Sequence, residues 1–280
     1  MDAVIEFLEA EKARGVTHVL LDEGAREGMR ALLARSRAPA APRSAARPSL
    51  PDSSEAPQSP AAAPARISPG TGSKAERLES LRSQAENWAP AKALGTLRDT
   101  MVFATGNPDA RIMLVGEAPG YEEERKREPF VGPAGQKLND ILKAMGIDRG
   151  EVYISNIVKF RPATPRQTTN NRKPSPEEMA ACLPFVREEV AIIRPECIVA
   201  LGGTAAEGLL GLSGTVGSMR GKWHEFNGIP VRVSYHPSYL LQSGANLSVK
   251  RQLWEDMLAV MEQLGMAVSE KQRGFFLPKS

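Results

Sequence analysis

Short apolar runs alternate along the chain with longer segments that have helical apolar spacing, from Arg111 onward. Short apolar runs predict strands, and apolar residues three or four positions apart predict helices. The predicted strands are Arg111–Val115, Val152–Val158, Cys197–Leu201 and Ile229–Ser234, and the predicted helices are Gln136–Met145, Pro176–Ile193, Ala205–Leu210 and Leu247–Leu264. Repeated alternation of strand and helix predicts an α/β fold with three αβα layers and a central, mainly parallel four-stranded sheet.

Hydroxyl residues mark the start of two of these helices. Ser175 is followed by Pro176 and Glu178, and Thr204 is followed three positions later by Glu207. Both patterns fit the capping box, in which a hydroxyl and a carboxylate satisfy free backbone amides reciprocally. We therefore expect Ser175 and Thr204 to be N-cap residues.

The region before the strands divides into an appendage and a linker. Residues 36–73 are rich in alanine, proline and serine and have few large apolar side chains. Such a segment buries too little apolar surface to offset its ordering entropy, so it is predicted to be a disordered linker. It separates a small helical appendage, residues 1–35, from a folded domain, residues 74–266. Residues 267–280 are predicted to be a C-terminal tail.

Composition narrows the class of protein and the cofactors that it could hold. Of 280 residues 41% are hydrophobic, enough for a sizeable core, and the net charge of +3 permits a nucleic-acid partner without requiring one. The two cysteines, Cys182 and Cys197, are too few for an iron–sulfur cluster or a structural zinc site without other ligands. We therefore expect no metal and no cofactor. The acidic N-terminus and the lack of a long apolar run predict a cytoplasmic protein without a membrane anchor.

Polar residues follow each predicted strand. Glu117 follows the first strand, Asn156 lies near the end of the second, Gly202 and Gly203 follow the third, and His236 follows the fourth. Ligands of parallel α/β sheets bind at the carboxyl ends of the strands, so these residues are expected to converge. A carboxylate, an amide and an imidazole, with an aromatic ring from the loop after the first strand, suit a small planar polar heterocycle.

Several sequence blocks, in order, carry a resemblance to a known family. From about Val102 to Leu264 they are GEAPG, PFVGPAG, YISNIVKFRP, KPSPEEMAACLPF, ALGGTAA, RGKWHE and YHPSYLL. They resemble the bacterial and archaeal family 4 branch of the uracil-DNA glycosylase superfamily. The resemblance implies a single αβα domain that flips deoxyuridine out of DNA and hydrolyses its N-glycosidic bond, the start of base excision repair.

The resemblance gives roles to the residues at the strand ends. Asn156 would read the Watson–Crick edge of uracil; the alternative is a structural asparagine ending a strand. Phe130 would stack on the flipped ring, although an aromatic residue in such a position can equally belong to the core. His236 would donate a hydrogen bond to uracil O2 and support the departing anion, whereas His224 has only the character of a polar surface residue.

The loop after the first strand completes the expected pocket. Glu117 would orient water, stabilise the sugar cation, or only hold the loop, and these three roles stay open. Ala118 and Tyr121 are expected to line the region where the methyl group of thymine would be excluded. Glu123 matches an acidic residue that family 4 members use in this pocket.

DNA contacts are expected from several loops around the pocket. Leu240, or alternatively Leu241, would fill the space that the flipped nucleotide leaves, and cations would lie near backbone phosphates. The predicted DNA-binding residues are Lys159, Arg161, Arg220, Lys222, Ser238, Tyr239 and Leu240. The expected partner is uracil-containing DNA, single- or double-stranded, bound by a monomer that is nucleoid-associated on DNA, with the N-terminal arm available to a repair protein.

The chain departs from the family at its metal site. Family 4 enzymes typically hold an iron–sulfur cluster on four cysteines; here Phe160 occupies the third ligand position and Cys182 matches the fourth, with no cysteine before it. We therefore predict no cluster, and an apolar patch that includes Phe160 in its place. Two alternative functions stay open: a preference for deaminated purines, and a catalytically weak DNA-binding accessory protein.

Overall fold

A six-stranded sheet organises the domain. The computed structural model describes residues 67–241 and 247–277. The strands are β1 Leu97–Met101, β2 Ala104–Gly106, β3 Ile112–Gly116, β4 Tyr153–Asn156, β5 Phe160–Pro162, β6 Cys197–Leu201, β7 Trp223–Phe226 and β8 Ile229–Ser234. The sheet order is β2-β4-β3-β6-β8-β7, in which β4, β3, β6 and β8 pair in parallel and the edge strands β2 and β7 are antiparallel. A separate antiparallel pair joins β1 to β5.

The four predicted strands form the parallel centre of this sheet, and the predicted αβα fold class is confirmed. Helices pack on both faces. They are α1 Lys74–Glu86, α2 Ala89–Lys92, α3 Tyr121–Lys126, α4 Pro133–Met145, α5 Pro176–Ile193, α6 Gly203–Leu210, α7 Val216–Met219, α8 Leu247–Gln263 and α9 Glu270–Arg273. Short 3₁₀ helices lie at Arg149–Glu151 and Pro237–Leu241.

Two apolar clusters fill the space between the layers. Side chains alternate between the faces of a strand, so Met113 and Val115 of β3 join the cluster beneath α1, α5 and α6. Ile112 and Leu114 join the cluster beneath α4 and α8 on the other face. Strands buried on both faces are typical of a parallel sheet covered by helices. This packing fixes the strand ends that carry the site.

The boundaries of the folded part extend beyond the predicted 74–266. Ile67 packs against the core, and the Ser68 amide donates to Gln84 Oε1 at 3.0 Å, so the end of the predicted linker is part of the domain. The predicted tail is also held: Trp254 Nε1 donates to the Gln272 carbonyl at 2.6 Å, and Gln272 Nε2 donates to the Ala144 carbonyl at 2.9 Å. The predicted appendage, 1–35, and the linker up to residue 66 lie outside the described residues.

No helix within 67–241 and 247–277 is long and apolar enough to cross a membrane.

Candidate active site

A pocket of about 650 Å³ lies at the carboxyl edge of the parallel strands. The loop after β3 contributes Glu117 and Phe130, β4 contributes Asn156, and the segment after β8 contributes His236. The predicted convergence of these four side chains is therefore observed. The arrangement follows from the topology, because β3, β4, β6 and β8 run in the same direction and end at the same edge.

Gly116 gives the amide and the aromatic ring room to lie over the end of β3. A Cβ atom at this position would lie 2.4 Å from Asn156 Oδ1 and 2.5 Å from Phe130 Cζ, closer than packed atoms approach. Asn156 is 2% exposed, and its side chain makes no hydrogen bond to the described residues. Its amide is therefore available to a ligand in the pocket.

Glu123 holds the loop that carries Phe130. Its Oε1 atom accepts hydrogen bonds from the backbone amides of Val131 at 3.1 Å and Gly132 at 2.9 Å. Phe130 has a left-handed backbone with φ of 54°, and a Cβ at Gly135 would lie 1.8 Å from the Phe130 carbonyl oxygen. The carboxylate and the glycine thus keep an unfavourable backbone conformation that turns the ring into the pocket.

His236 is held as a neutral ring with one defined tautomer. The Ser238 backbone amide donates to His236 Nδ1 at 3.2 Å, and the Ser238 hydroxyl lies 2.7 Å from the same nitrogen. Because a backbone N–H can only donate, Nδ1 is the acceptor and the ring proton lies on Nε2. Burial lowers the pKa of His236 to about 4, so the imidazole is neutral at pH 7. Its ring lies 5.5 Å from that of Phe130.

Glu117 is a partly buried carboxylate with one hydroxyl partner. Thr204 Oγ1 donates to Glu117 Oε2 at 2.6 Å. Burial raises the pKa of Glu117, while the hydrogen bond from Thr204 and the charge of Lys173 act in the opposite direction. Glu207 adds a smaller upward effect.

The predicted N-cap role of Thr204 is wrong. Helix α6 begins at Gly203, its N-cap is Gly202 with φ of 97°, and no side chain caps it. Thr204 is therefore the second residue of the helix and not its cap, and its hydroxyl donates to Glu117. At α5, by contrast, Ser175 and Glu178 form the predicted capping box.

Of the remaining residues predicted for the pocket, two line it and one does not. Ala118 and Glu123 line the pocket, whereas Tyr121 does not. Tyr121 is 40% exposed at the start of α3, and its ring lies 5.5 Å from the guanidinium carbon of Arg161. The expectation that Tyr121 excludes a methyl group from the pocket is therefore corrected.

Sequence reasoning missed Asn171 and Tyr235, which also line the pocket. Asn171 belongs to the long loop between β5 and α5, and its Oδ1 accepts a hydrogen bond from Arg161 Nε at 2.9 Å. The length of this loop was a visible signal, but nothing in its composition showed that it folds back over the strand ends.

Comparison with known proteins places this site in a family. The model of the uracil DNA glycosylase superfamily matches residues 103–258. The chain belongs to this superfamily. It is 40% identical to the type-4 uracil-DNA glycosylase of Thermotoga maritima over 184 residues, 65% of this chain and 92% of the relative. It is 37% identical to the type-4 enzyme of Archaeoglobus fulgidus over 183 residues, 62% of this chain and 85% of the relative. A type-5 uracil-DNA glycosylase of Pyrobaculum aerophilum is 32% identical over 162 residues, 52% of this chain and 69% of the relative.

Three cations that the sequence suggested for DNA phosphates have internal partners in this superfamily member. Lys159 is fully buried, and its Nζ lies 2.7 Å from Glu189 Oε1. Arg161 is 2% exposed and pairs with Glu124 at 2.9 Å, while also donating to two carbonyls of the β5–α5 loop. These two predictions are corrected, because a buried cation with an internal partner cannot reach a phosphate.

Arg220 also acts within the fold. Its Nε donates to Asp256 Oδ2 at 2.8 Å, its side chain is 12% exposed, and its guanidinium also donates to the Gln252 carbonyl. Asp256 in turn accepts a hydrogen bond from Arg232. Arg220 therefore ties α7 to α8, and its predicted role at a phosphate is corrected. Lys222, by contrast, is exposed.

The 3₁₀ helix Pro237–Leu241 presents its residues to different surroundings. Ser238 is bound to His236, while Tyr239 is 42% exposed and stacks on Tyr235 with 5.4 Å between ring centroids. Leu240 packs against the cluster beneath α4 and α8, whereas Leu241 is 45% exposed. Of the two alternatives, Leu241 is therefore the one with an exposed side chain.

The residues around Cys182 do not fit an iron–sulfur cluster. Such a cluster needs four thiolates, and the chain has two cysteines, in clusters on opposite faces of the sheet: Cys182 in one and Cys197 in the other. Burial raises the pKa of Cys182 to about 11, which disfavours the thiolate. No group of three or more histidine, cysteine or acidic side chains within the described ranges could hold a metal ion. Cys182 belongs instead to an apolar core cluster that contains four buried aromatic residues, Trp88, Phe103, Phe160 and Phe185.

Proposed function

We propose that this chain is a uracil-DNA glycosylase that removes uracil from DNA by hydrolysis of the N-glycosidic bond and so begins base excision repair. The observation that carries the proposal is the pocket in which the Asn156 amide, the Phe130 ring and the Nε2–H of a neutral His236 meet. The type-4 relatives support the same activity.

Asn156 and Phe130 would select the base. Uracil presents an acceptor at O4 and a donor at N3, which match the two ends of an asparagine amide, whereas cytosine presents the opposite pair. Phe130 offers a flat face for the flipped ring, and its position is fixed by the loop bonds to Glu123.

His236 and Glu117 would assist bond cleavage. The C1′–N1 bond breaks with its electron pair moving to the base, so negative charge grows on uracil O2 while the sugar becomes cationic. The Nε2–H of His236 would stabilise the anion without transferring a proton, in agreement with its low pKa of about 4. Glu117 would stabilise the sugar cation and accept a proton from the water that adds to C1′.

DNA would be held by the exposed residues beside the pocket, in a monomer. Leu241 and Tyr239 protrude from the segment next to His236, and Lys222 provides an exposed cation nearby in the chain. We expect the enzyme to work in the cytoplasm, at the nucleoid, on single- or double-stranded DNA. The N-terminal residues would be available to a repair protein.

We further propose that catalysis needs no iron–sulfur cluster. The apolar cluster that contains Cys182 supports this, because it also holds the edge-to-face pair Trp88 and Phe185, with 5.1 Å between ring centroids, while the other cysteine, Cys197, lies in the cluster on the opposite face of the sheet. Protein purified without oxygen should contain no iron and be active. Iron near four atoms per chain would contradict the proposal.

A panel of oligonucleotides tests the proposed specificity. Duplexes with one uracil, hypoxanthine, xanthine or mispaired thymine are incubated with the protein, treated with alkali and sized. We expect strand breaks for uracil alone. Cleavage of the purines at a similar rate would favour a broader enzyme, and no cleavage of any duplex or of single-stranded uracil DNA would favour a DNA-binding accessory protein.

A further inference from the structure

The hydroxyl of Thr204 bonds to a side chain outside the helix that carries it. Thr204 is the second residue of α6, past the N-cap position from which a hydroxyl accepts from free backbone amides, and it donates to Glu117 Oε2 at 2.6 Å. Thr204 is 5% exposed, so this bond is shielded from water. It joins the loop after β3 to the helix after β6, two elements 87 residues apart in the chain.

The turn before α6 makes this contact possible. Gly202 has φ of 97°, a conformation that L side chains rarely adopt, and its amide donates to the Ser234 carbonyl at 2.8 Å. A Cβ at Gly202 would also lie 3.1 Å from His236 Cβ. The tight turn therefore brings Thr204 to Glu117 and leaves space for His236 on the same edge of the sheet.

The bond leaves the two oxygens of Glu117 in different states. Oε2 is occupied by the Thr204 hydroxyl, while Oε1 has no hydrogen bond to any part of the chain that the structure describes. A carboxylate fixed through one oxygen keeps the other in a constant position, which a reaction at a defined atom requires.

We propose that Thr204 is a positioning residue, whose hydroxyl fixes the Glu117 carboxylate so that its second oxygen meets the water or the sugar in the pocket. This inference rests on the proposed glycosylase function. Thr204 touches no reacting atom and acts through Glu117.

The groups around Glu117 determine in which direction its pKa should move when the Thr204 bond is lost. Lys173 and the Thr204 bond lower the pKa of Glu117, while burial and Glu207 raise it. Lys173 and Glu207 pair with each other at 2.7 Å. The other charged residues that line the pocket are Arg172, which pairs with Glu178, and Glu123. His236 stays neutral because its pKa is about 4. Loss of the Thr204 bond therefore raises the pKa of Glu117, and the pH below which activity fails should rise.

The test is the single-turnover rate of uracil release as a function of pH. T204V removes the hydroxyl at nearly constant volume, and T204S keeps it. At neutral pH we expect T204V to lose roughly tenfold or more, the value of a charge-assisted hydrogen bond, with its acid limb moved to higher pH. T204S should have the rate and pH profile of the wild type. If T204V does not fold, T204A is measured with the same expectation.

Ser234→Ala is the matched control. Ser234 is fully buried near the same turn, and its hydroxyl has no hydrogen-bond partner among the described residues. Its loss should leave the acid limb unchanged. A folded T204V with the wild-type rate and limb, or an equal shift in S234A, overturns the inference while the glycosylase function stands. A wild-type protein without uracil release refutes the proposed function and this inference with it.

Discussion

Gly116→Ala tests the architecture of the pocket with a single methyl group. The added Cβ would lie 2.4 Å from Asn156 Oδ1 and 2.5 Å from Phe130 Cζ. Carbon atoms pack at about 3.5–4.0 Å, so the ring must retreat by about 1 Å, and the amide must also move. A displacement of this size in a positioned group costs about 100-fold in rate, and the overpacking costs about 1–3 kcal/mol of stability.

The assay is single-turnover uracil release at a temperature where the variant is folded, with the free energy of unfolding measured in urea. Gly274→Ala is the control, because Gly274 lies at the end of α9 with φ of −79°, and an added Cβ would lie 3.4 Å from the nearest non-adjacent atom, the Glu270 carbonyl oxygen. We expect the control to keep the wild-type rate. A folded Gly116→Ala variant with the wild-type rate would refute the placement of the base between Asn156 and Phe130.

Two further predictions concern residues whose observed contacts differ from those expected from the sequence. Lys159→Met should destabilise the fold by about 3–5 kcal/mol, because it leaves Glu189 buried without its cation, and the folded fraction should bind DNA as the wild type does. Urea unfolding measures the stability, and a DNA titration at matched salt concentration measures the binding. Weaker DNA binding with unchanged stability would show that Lys159 contacts a phosphate after all. Leu241→Ala should slow uracil release from duplex DNA more than from single strands, because the exposed Leu241 side chain would fill the space left by the flipped nucleotide. Leu240→Ala should mainly lower the melting temperature, since Leu240 packs against the core. The reverse pattern would assign the space-filling role to Leu240.

The central elements were predictable because their patterns are local. Strands β6 and β8 and helix α5 have the predicted bounds, since a continuous apolar run marks β6, a short valine-rich run marks β8 and a capping box marks the start of α5. Edge strand β7 was missed because only Phe226 of its four residues is buried, which leaves no pattern to detect. The strand-end rule found Asn156 and His236, because topology places them whatever the details of packing.

The missed features depend on partners distant in the chain. Nothing in the sequence around Lys159 indicates that it forms a buried ion pair with Glu189 of α5. The local sequence of α6 likewise predicts a cap at Thr204. The true partner of this hydroxyl, Glu117, lies 87 residues earlier, and local spacing cannot reveal it. Local chemistry thus identifies which side chains can react or bind, and tertiary contacts decide where they are used.

The most direct test of the account is uracil release by Asn156→Ala and His236→Ala beside the wild type. The Asn156 side chain makes no hydrogen bond to the described residues, so its loss should leave the melting temperature nearly unchanged. We expect wild-type protein to break a uracil-containing strand after alkali, and each variant to be slower by roughly 100- to 1,000-fold, the cost of removing a positioned hydrogen-bonding group. No break with the wild type, or full activity in both variants, would contradict the proposed site.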